Sequence, residues 1–137
     1  MAEMWSRPVI VVLLALEALW AQGSSGPSRG TLIADGGGST DLVKNRFVDI
    51  AGGKSAKIVV IPTGASSIRF GPEKTILDPD WPRDRPEWAA YQKYLTTWFG
   101  TEDITVLHTR DRAVADSEEF VKPLRTATGV FLGAGNA

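Results

Sequence analysis

Apolar positions recur along this chain in two alternating rhythms, and those rhythms predict its elements. Thr31 to Ala34 is a short apolar run that reads as a strand. Asp41 to Ile50 follows with Leu42, Val43, Phe47 and Ile50 at spacings near one helical turn. Ser39 or Thr40 is placed to cap that helix, and Gly52-Gly53 to end it. The run Ile58-Val59-Val60-Ile61 is β-branched throughout, as suits a strand covered on both faces. Glu87 to Phe99 reads as a helix that starts after Pro86 and stops at Gly100. "DITVLHT" is a third strand, Asp116 to Arg125 a third helix with Ser117 near its start, and "GVFL" at residues 129–132 a fourth strand.

Strands alternating with helices predict an α/β fold: a three-layer αβα sandwich on a mostly parallel sheet, flavodoxin-like or class I glutamine amidotransferase-like. In such sheets ligands gather at the carboxyl ends of the strands. Four segments are expected there: "DGGGST" (35–40), "PTGASS" (62–67), "HTRDR" (108–112) and "GAGNA" (133–137).

Each has a functional and a plain reading. The glycines of "DGGGST" let backbone approach a ligand, or simply make a sharp turn. A dinucleotide fingerprint would need glycine at 41, where Asp41 stands. "AGGKS" is not a phosphate loop, because Val48 occupies its first glycine position and the segment leaves a helix rather than a strand. Ser66, Ser67 and His108 offer hydroxyls and the sequence's only imidazole; a nucleophilic pair competes here with pocket or capping roles. Arg110 and Arg112 can each grip a carboxylate in two-pronged fashion, with surface charge the better reading for Arg112. The stretch 68–87 carries Pro72, Pro79, Pro82 and Pro86 and is long for a loop, as lids and binding loops are. Trp81 and Trp88 read as its anchors.

Composition narrows the classes. Lys plus Arg is 15 and Asp plus Glu is 16, so no basic surface points to nucleic acid. There is no cysteine, which excludes disulfides and thiolate chemistry. No His/Asp/Glu spacing suggests a metal site, and no motif calls for a cofactor. The first 21 residues, with Arg7, the apolar run Val9 to Leu16 and small Ala18 and Ala21, resemble a secretory signal cut near Ala21 or Gln22. Residues 22–30 are then a flexible lead-in, 31–137 the domain, and the location secreted or periplasmic. The apolar run is too short to leave a stable membrane span.

The segments "AGGKSAKIVVIPTGASS", "VLHTRDRA" and "TGVFLGAGNA" together resemble the amino-terminal half of the cyanophycinase and aspartyl dipeptidase family of serine peptidases, over residues 30 to 137. The resemblance departs at the last turn, where Gly133-Ala134-Gly135 replaces the usual run, Asn136 fills the polar place and Ala137 stands where glutamine is common. It implies acyl transfer by a serine on a Gly-x-Ser-x-Gly elbow, a pattern that does not occur in the domain, residues 31–137. The chain is therefore expected to be an amino-terminal part of such a peptidase and inactive alone, with no catalytic residue of its own and with its sheet incomplete at the carboxyl end. Substrate-contact candidates are Gly36, Gly37, Gly38, Ser66, Arg110 and Asn136. The implied partner is a peptide or aspartyl-peptide substrate, and a homodimer stays open. A non-catalytic binder on this scaffold and an unrelated nucleotide-binding α/β domain are the competing readings. An unpaired edge beside the fourth strand is expected to make the isolated chain marginal in stability and aggregation-prone.

Overall fold

The computed structural model describes residues 30–36 and 40–133, and the domain from Ile33 onward forms one compact unit. The elements are α1 (Asp41–Ala51), β1 (Ile58–Ile61), β2 (Ile68–Phe70), β3 (Thr75–Leu77), α2 (Pro86–Phe99), β4 (Ile104–Val106), α3 (Arg112–Ala115), α4 (Glu118–Val121) and β5 (Gly129–Leu132). The architecture is α/β. A parallel three-stranded sheet of order β4-β1-β5 is flanked by helices, compatible with a flavodoxin-like αβα arrangement.

β1 is the middle strand because its four β-branched residues tolerate burial on both sides. Ile58 and Val60 face the main core, where Ile104 pairs with Ile58 and Phe131 with Val60. That core is closed by Phe47, Val48 and Ala51 of α1, by Trp88, Tyr91, Leu95 and Phe99 of α2, and by Phe70 and Leu77. Gln92 of α2 donates to the Ile104 carbonyl at 2.9 Å and locks the helix to β4. Gly52 and Gly100 end α1 and α2 in the left-handed conformation, as glycine permits without strain.

Four expectations are corrected. Residues 31–34 form no strand. A four-residue run flanked by glycine gains too little from burial to order its backbone without a paired neighbour, and none pairs with it among the described residues. α1 meets the core through Phe47, Val48 and Ala51, with Val43 and Lys44 half-buried; of the expected face Leu42, Val43, Phe47 and Ile50, Phe47 holds, while Leu42 and Ile50 are 79% and 43% exposed. Lys44 lays its methylene stem on the core, with its ammonium 6.0 Å from the Trp98 ring and 3.3 Å from Asp41. Thr40 stands at the N-cap position of α1 but makes no side-chain cap bond. The helix expected over 116–125 is broken. Asp111 caps α3, Ser117 in extended conformation caps α4, and Pro123, lacking an N–H, leaves only a 3₁₀ turn over Lys122–Arg125.

The stretch 68–87 is not structureless. β2 and β3 make an antiparallel hairpin in register Ile68↔Leu77 and Phe70↔Thr75, closed by a turn in which Lys74 N donates to Gly71 O. Its inward residues Phe70 and Leu77 join the main core, and Phe70 packs on Tyr91 and Tyr94. Trp88 is buried and its indole N–H donates to the Trp81 carbonyl at 3.0 Å, so the pair anchors the segment, as expected. β5 carries exposed Val130 and Leu132 on the face away from α1 and α2.

Burial pushes the Tyr91 hydroxyl up to about 12 from its usual 10, with the neighbouring Tyr94 contributing. The neutral phenol is thus favoured in the fold, and its stabilisation is complete below pH 10 and is lost as pH rises toward 12. Alkaline titration of tyrosine absorbance should show one late component that coincides with unfolding. Tyr91→Phe should abolish that component and raise stability at high pH by about 2 kcal/mol.

Candidate functional site

The sheet's connections determine where a crevice opens. α2 links β1 to β4 over the face carrying the main core. The next connection runs back past β1 to β5, so with the right hand that parallel crossovers take, α3 and α4 pass over the other face. The chain therefore leaves the carboxyl ends of β1 and β4 in opposite directions. This is a topological switch point, where such sheets bind ligands.

Three segments meet there. After β1, Pro62-Thr63-Gly64-Ala65 turns tightly, with Ala65 N donating to Pro62 O at 2.9 Å. After β4, Leu107 N donates to Val60 O at 2.9 Å and extends the ladder, which aims His108 and Arg110 at that turn. The third segment follows the hairpin. The Asp78 carboxylate accepts from Asp80 N at 2.8 Å, an Asx turn that presents the Asp80 side chain.

The side chains form one polar chain. His108 Nε2 lies 2.8 Å from Asp80 Oδ1, and His108 Nδ1 lies 3.2 Å from Thr63 Oγ1. A carboxylate only accepts, so Nε2 carries a hydrogen. With a neutral ring, the Thr63 hydroxyl then donates to Nδ1. Arg110 Nε donates to Asp80 Oδ2 at 2.6 Å, while its two terminal nitrogens donate to the Thr63 and Ala65 carbonyls at 3.4 and 3.2 Å. The His108 side chain is only 4% exposed, whereas those of Asp80 and Arg110 are each 48% exposed. The cluster thus has a buried floor and an open rim.

The His108 and Arg110 hydrogen bonds hold Asp80 below its usual carboxylate range. Charged Asp80 is therefore favoured by the fold. Its contribution is complete above the ordinary carboxylate value of 3.8 and is lost as pH falls below it. Asp80→Asn should flatten the fall in urea midpoint as pH drops below about 4, relative to the unaltered protein.

Of the residues singled out in the sequence, Arg110 is central to this cluster. Ser66 is exposed one residue beyond Ala65, in the same loop. Gly36 lies in the exposed, irregular stretch 30–36; an added Cβ there would meet nothing within 4 Å, and Gly36 contributes no bond to the cluster. Gly37, Gly38 and Asn136 lie outside the described residues. Arg112 is a surface charge paired with Asp116 at 3.4 Å. Sequence reasoning missed Thr63 and Asp80. Thr63 was within reach as the first hydroxyl after β1, but Asp80 arrives only through the unforeseen hairpin.

A cavity of about 550 Å³ opens at the opposite, amino-terminal edge, lined among others by Lys54, Ser55, Thr101, Glu102 and Asp103. Its buried hydroxyl, Thr101, is already committed to the Ala56 and Lys54 carbonyls at 2.8 and 3.3 Å. Its one buried polar side chain is therefore committed to the fold, and the carboxyl-edge cluster is the better candidate. Among the described residues no group of His, Asp and Glu is arranged to hold a metal, and no helix is long and apolar enough to cross a membrane. Comparison of the chain with protein-family models, with curated proteins and with solved structures gave no match, so the cluster is interpreted on its own geometry.

Proposed function

We propose that residues 31–137 supply one wall of the substrate site of a secreted or periplasmic, cyanophycinase-like serine peptidase that hydrolyses peptide or aspartyl amide bonds. One observation carries this reading: the half-exposed Arg110, in the segment "VLHTRDRA", stands at the switch point of a parallel sheet. A guanidinium held by two carbonyls at such a place suits a carboxylate-bearing substrate. The reading assigns binding to residues 31–137 and no bond-breaking step, because the family's Gly-x-Ser-x-Gly elbow does not occur in them.

The test is the product of the gene's whole reading frame, assayed for aspartyl dipeptide hydrolysis and for labelling by a serine-directed phosphonate. Turnover with a labelled serine supports the peptidase. Arg110→Ala should then raise KM by about tenfold or more and change kcat less. Saturable dipeptide binding without turnover or labelling favours a non-catalytic binder on the same scaffold. Neither binding nor turnover refutes both.

A further inference from the structure

We propose that His108 and Arg110 form a carboxylate-binding site which Asp80 fills from within, and that an external carboxylate takes the same place by displacing it.

The receptor half is fixed without Asp80. Arg110 is held by the Thr63 and Ala65 carbonyls, and the His108 ring by the Thr63 hydroxyl on its far nitrogen. Both residues leave β4 on one short segment, and the turn after β1 sets their aim. They present an imidazole N–H and the guanidinium Nε–H to the two oxygens of a single carboxylate, at 2.8 and 2.6 Å. That two-point arrangement recognises a planar anion rather than a point charge.

The carboxylate half comes from a different element. Asp80 is exposed and follows the buried Pro79, so a side-chain rotation releases its carboxylate while the backbone stays anchored. The hairpin and α2 stay in place. The rim is open, with Asp80 and Arg110 each about half exposed, so a competing acid can reach the pair. His108 is nine-tenths buried, and its Nε2–H would be left unpaired if Asp80 moved away with nothing in its stead. The occupant is thus replaceable, but the place must be filled. The chemical class is a carboxylate, either an aspartyl side chain or a chain-terminal carboxylate.

His108 is the sequence's only histidine, so its ring resonances report on this place alone. The probes are N-acetylaspartate α-amide, which carries only a side-chain carboxylate, and N-acetylalanine, which carries only an α-carboxylate. In Asp80→Ala, one or both should shift the His108 signals saturably in the millimolar range, and the stronger identifies the source. Binding should be at least about tenfold weaker in the unaltered protein, where Asp80 competes. Adding Arg110→Ala should abolish it. Asp80→Asn keeps the side-chain shape but not the charge, and should behave like Asp80→Ala.

No saturable shift in a folded Asp80 variant overturns the proposal. So does equal binding with and without Asp80. If both Asp80 variants fail to fold, Asp80 is an obligatory structural counter-ion and the proposal falls. The inference builds on the ligand site proposed above, but the two fail separately: carboxylate binding is read on this chain without turnover, and the peptidase reading on the whole gene product by hydrolysis.

Discussion

Leu77→Ala is expected to destabilise the domain by about 2–5 kcal/mol, read as a lower urea midpoint with an unchanged slope. Leu77 has no accessible surface at all and sits in the main core with Tyr91 and Trp88. Truncation removes most of a fully enclosed side chain and leaves a void that β1 and α2, held by their own hydrogen bonds, cannot fill. Even a complete domain has only roughly 5–15 kcal/mol, so a loss of that size puts much of the population of a marginal chain at risk. Ile76 is the internal control: it neighbours Leu77, points the other way and is 49% exposed. Ile76→Ala should cost about 0.5 kcal/mol or less. Equal losses at the two positions would mean that the hairpin lies on the surface rather than in the core.

The second large effect is expected at Gly129. A Cβ added there would lie 2.8 Å from the ring tip of Phe47 and 3.0 Å from the Ala51 methyl. Glycine is needed at this position for space, because α1 crosses β5 at close range. Phe47 is flanked by Phe99 and Phe131 at ring separations of 5.9 and 6.2 Å, which limits how far it can yield, and Ala51 is fixed by the helix backbone. Gly129→Ala should therefore cost about 1–3 kcal/mol through overpacking, and Gly129→Val more. Combining Gly129→Ala with Phe47→Leu should recover part of the loss. A double-mutant cycle that is additive within about 0.5 kcal/mol would refute the clash.

These two positions also show what the sequence could and could not convey. β1 was legible because four consecutive β-branched residues have no better use than a strand covered on both faces. α2 was legible within a residue because Pro86 and Gly100 mark its ends. The α1 span was legible, but its buried face only in part. A lysine counts as polar in any periodicity, yet the stem of Lys44 belongs to the core side. The hairpin was hidden because each arm is only three residues long and four prolines surround it, so loop composition masked strand alternation.

For the candidate site, the segments were legible in the sequence but their pairings were not. "PTGASS" and "HTRDR" follow from the rule that places ligands at strand carboxyl ends, and Arg110 lies where that rule puts it. Thr63 and His108 are 45 residues apart and Asp80 is 28 residues from His108, so no local pattern links them. Their meeting depends on the strand register and on the hairpin's path, and neither can be computed from composition or spacing.

The middle position of β1 has a consequence for how the chain is born. Lys57, which leads into β1, bonds to Thr128 across 71 residues. A ribosome adding about 5–20 residues per second leaves β1 without that flank for several seconds after it emerges. During that interval the wholly apolar stretch of β1 has only its upstream helix and the growing hairpin for shelter. Slowing translation across residues 107–128 should therefore lower the soluble yield, and holding a trigger-factor-type chaperone on the emerging β1 should restore it.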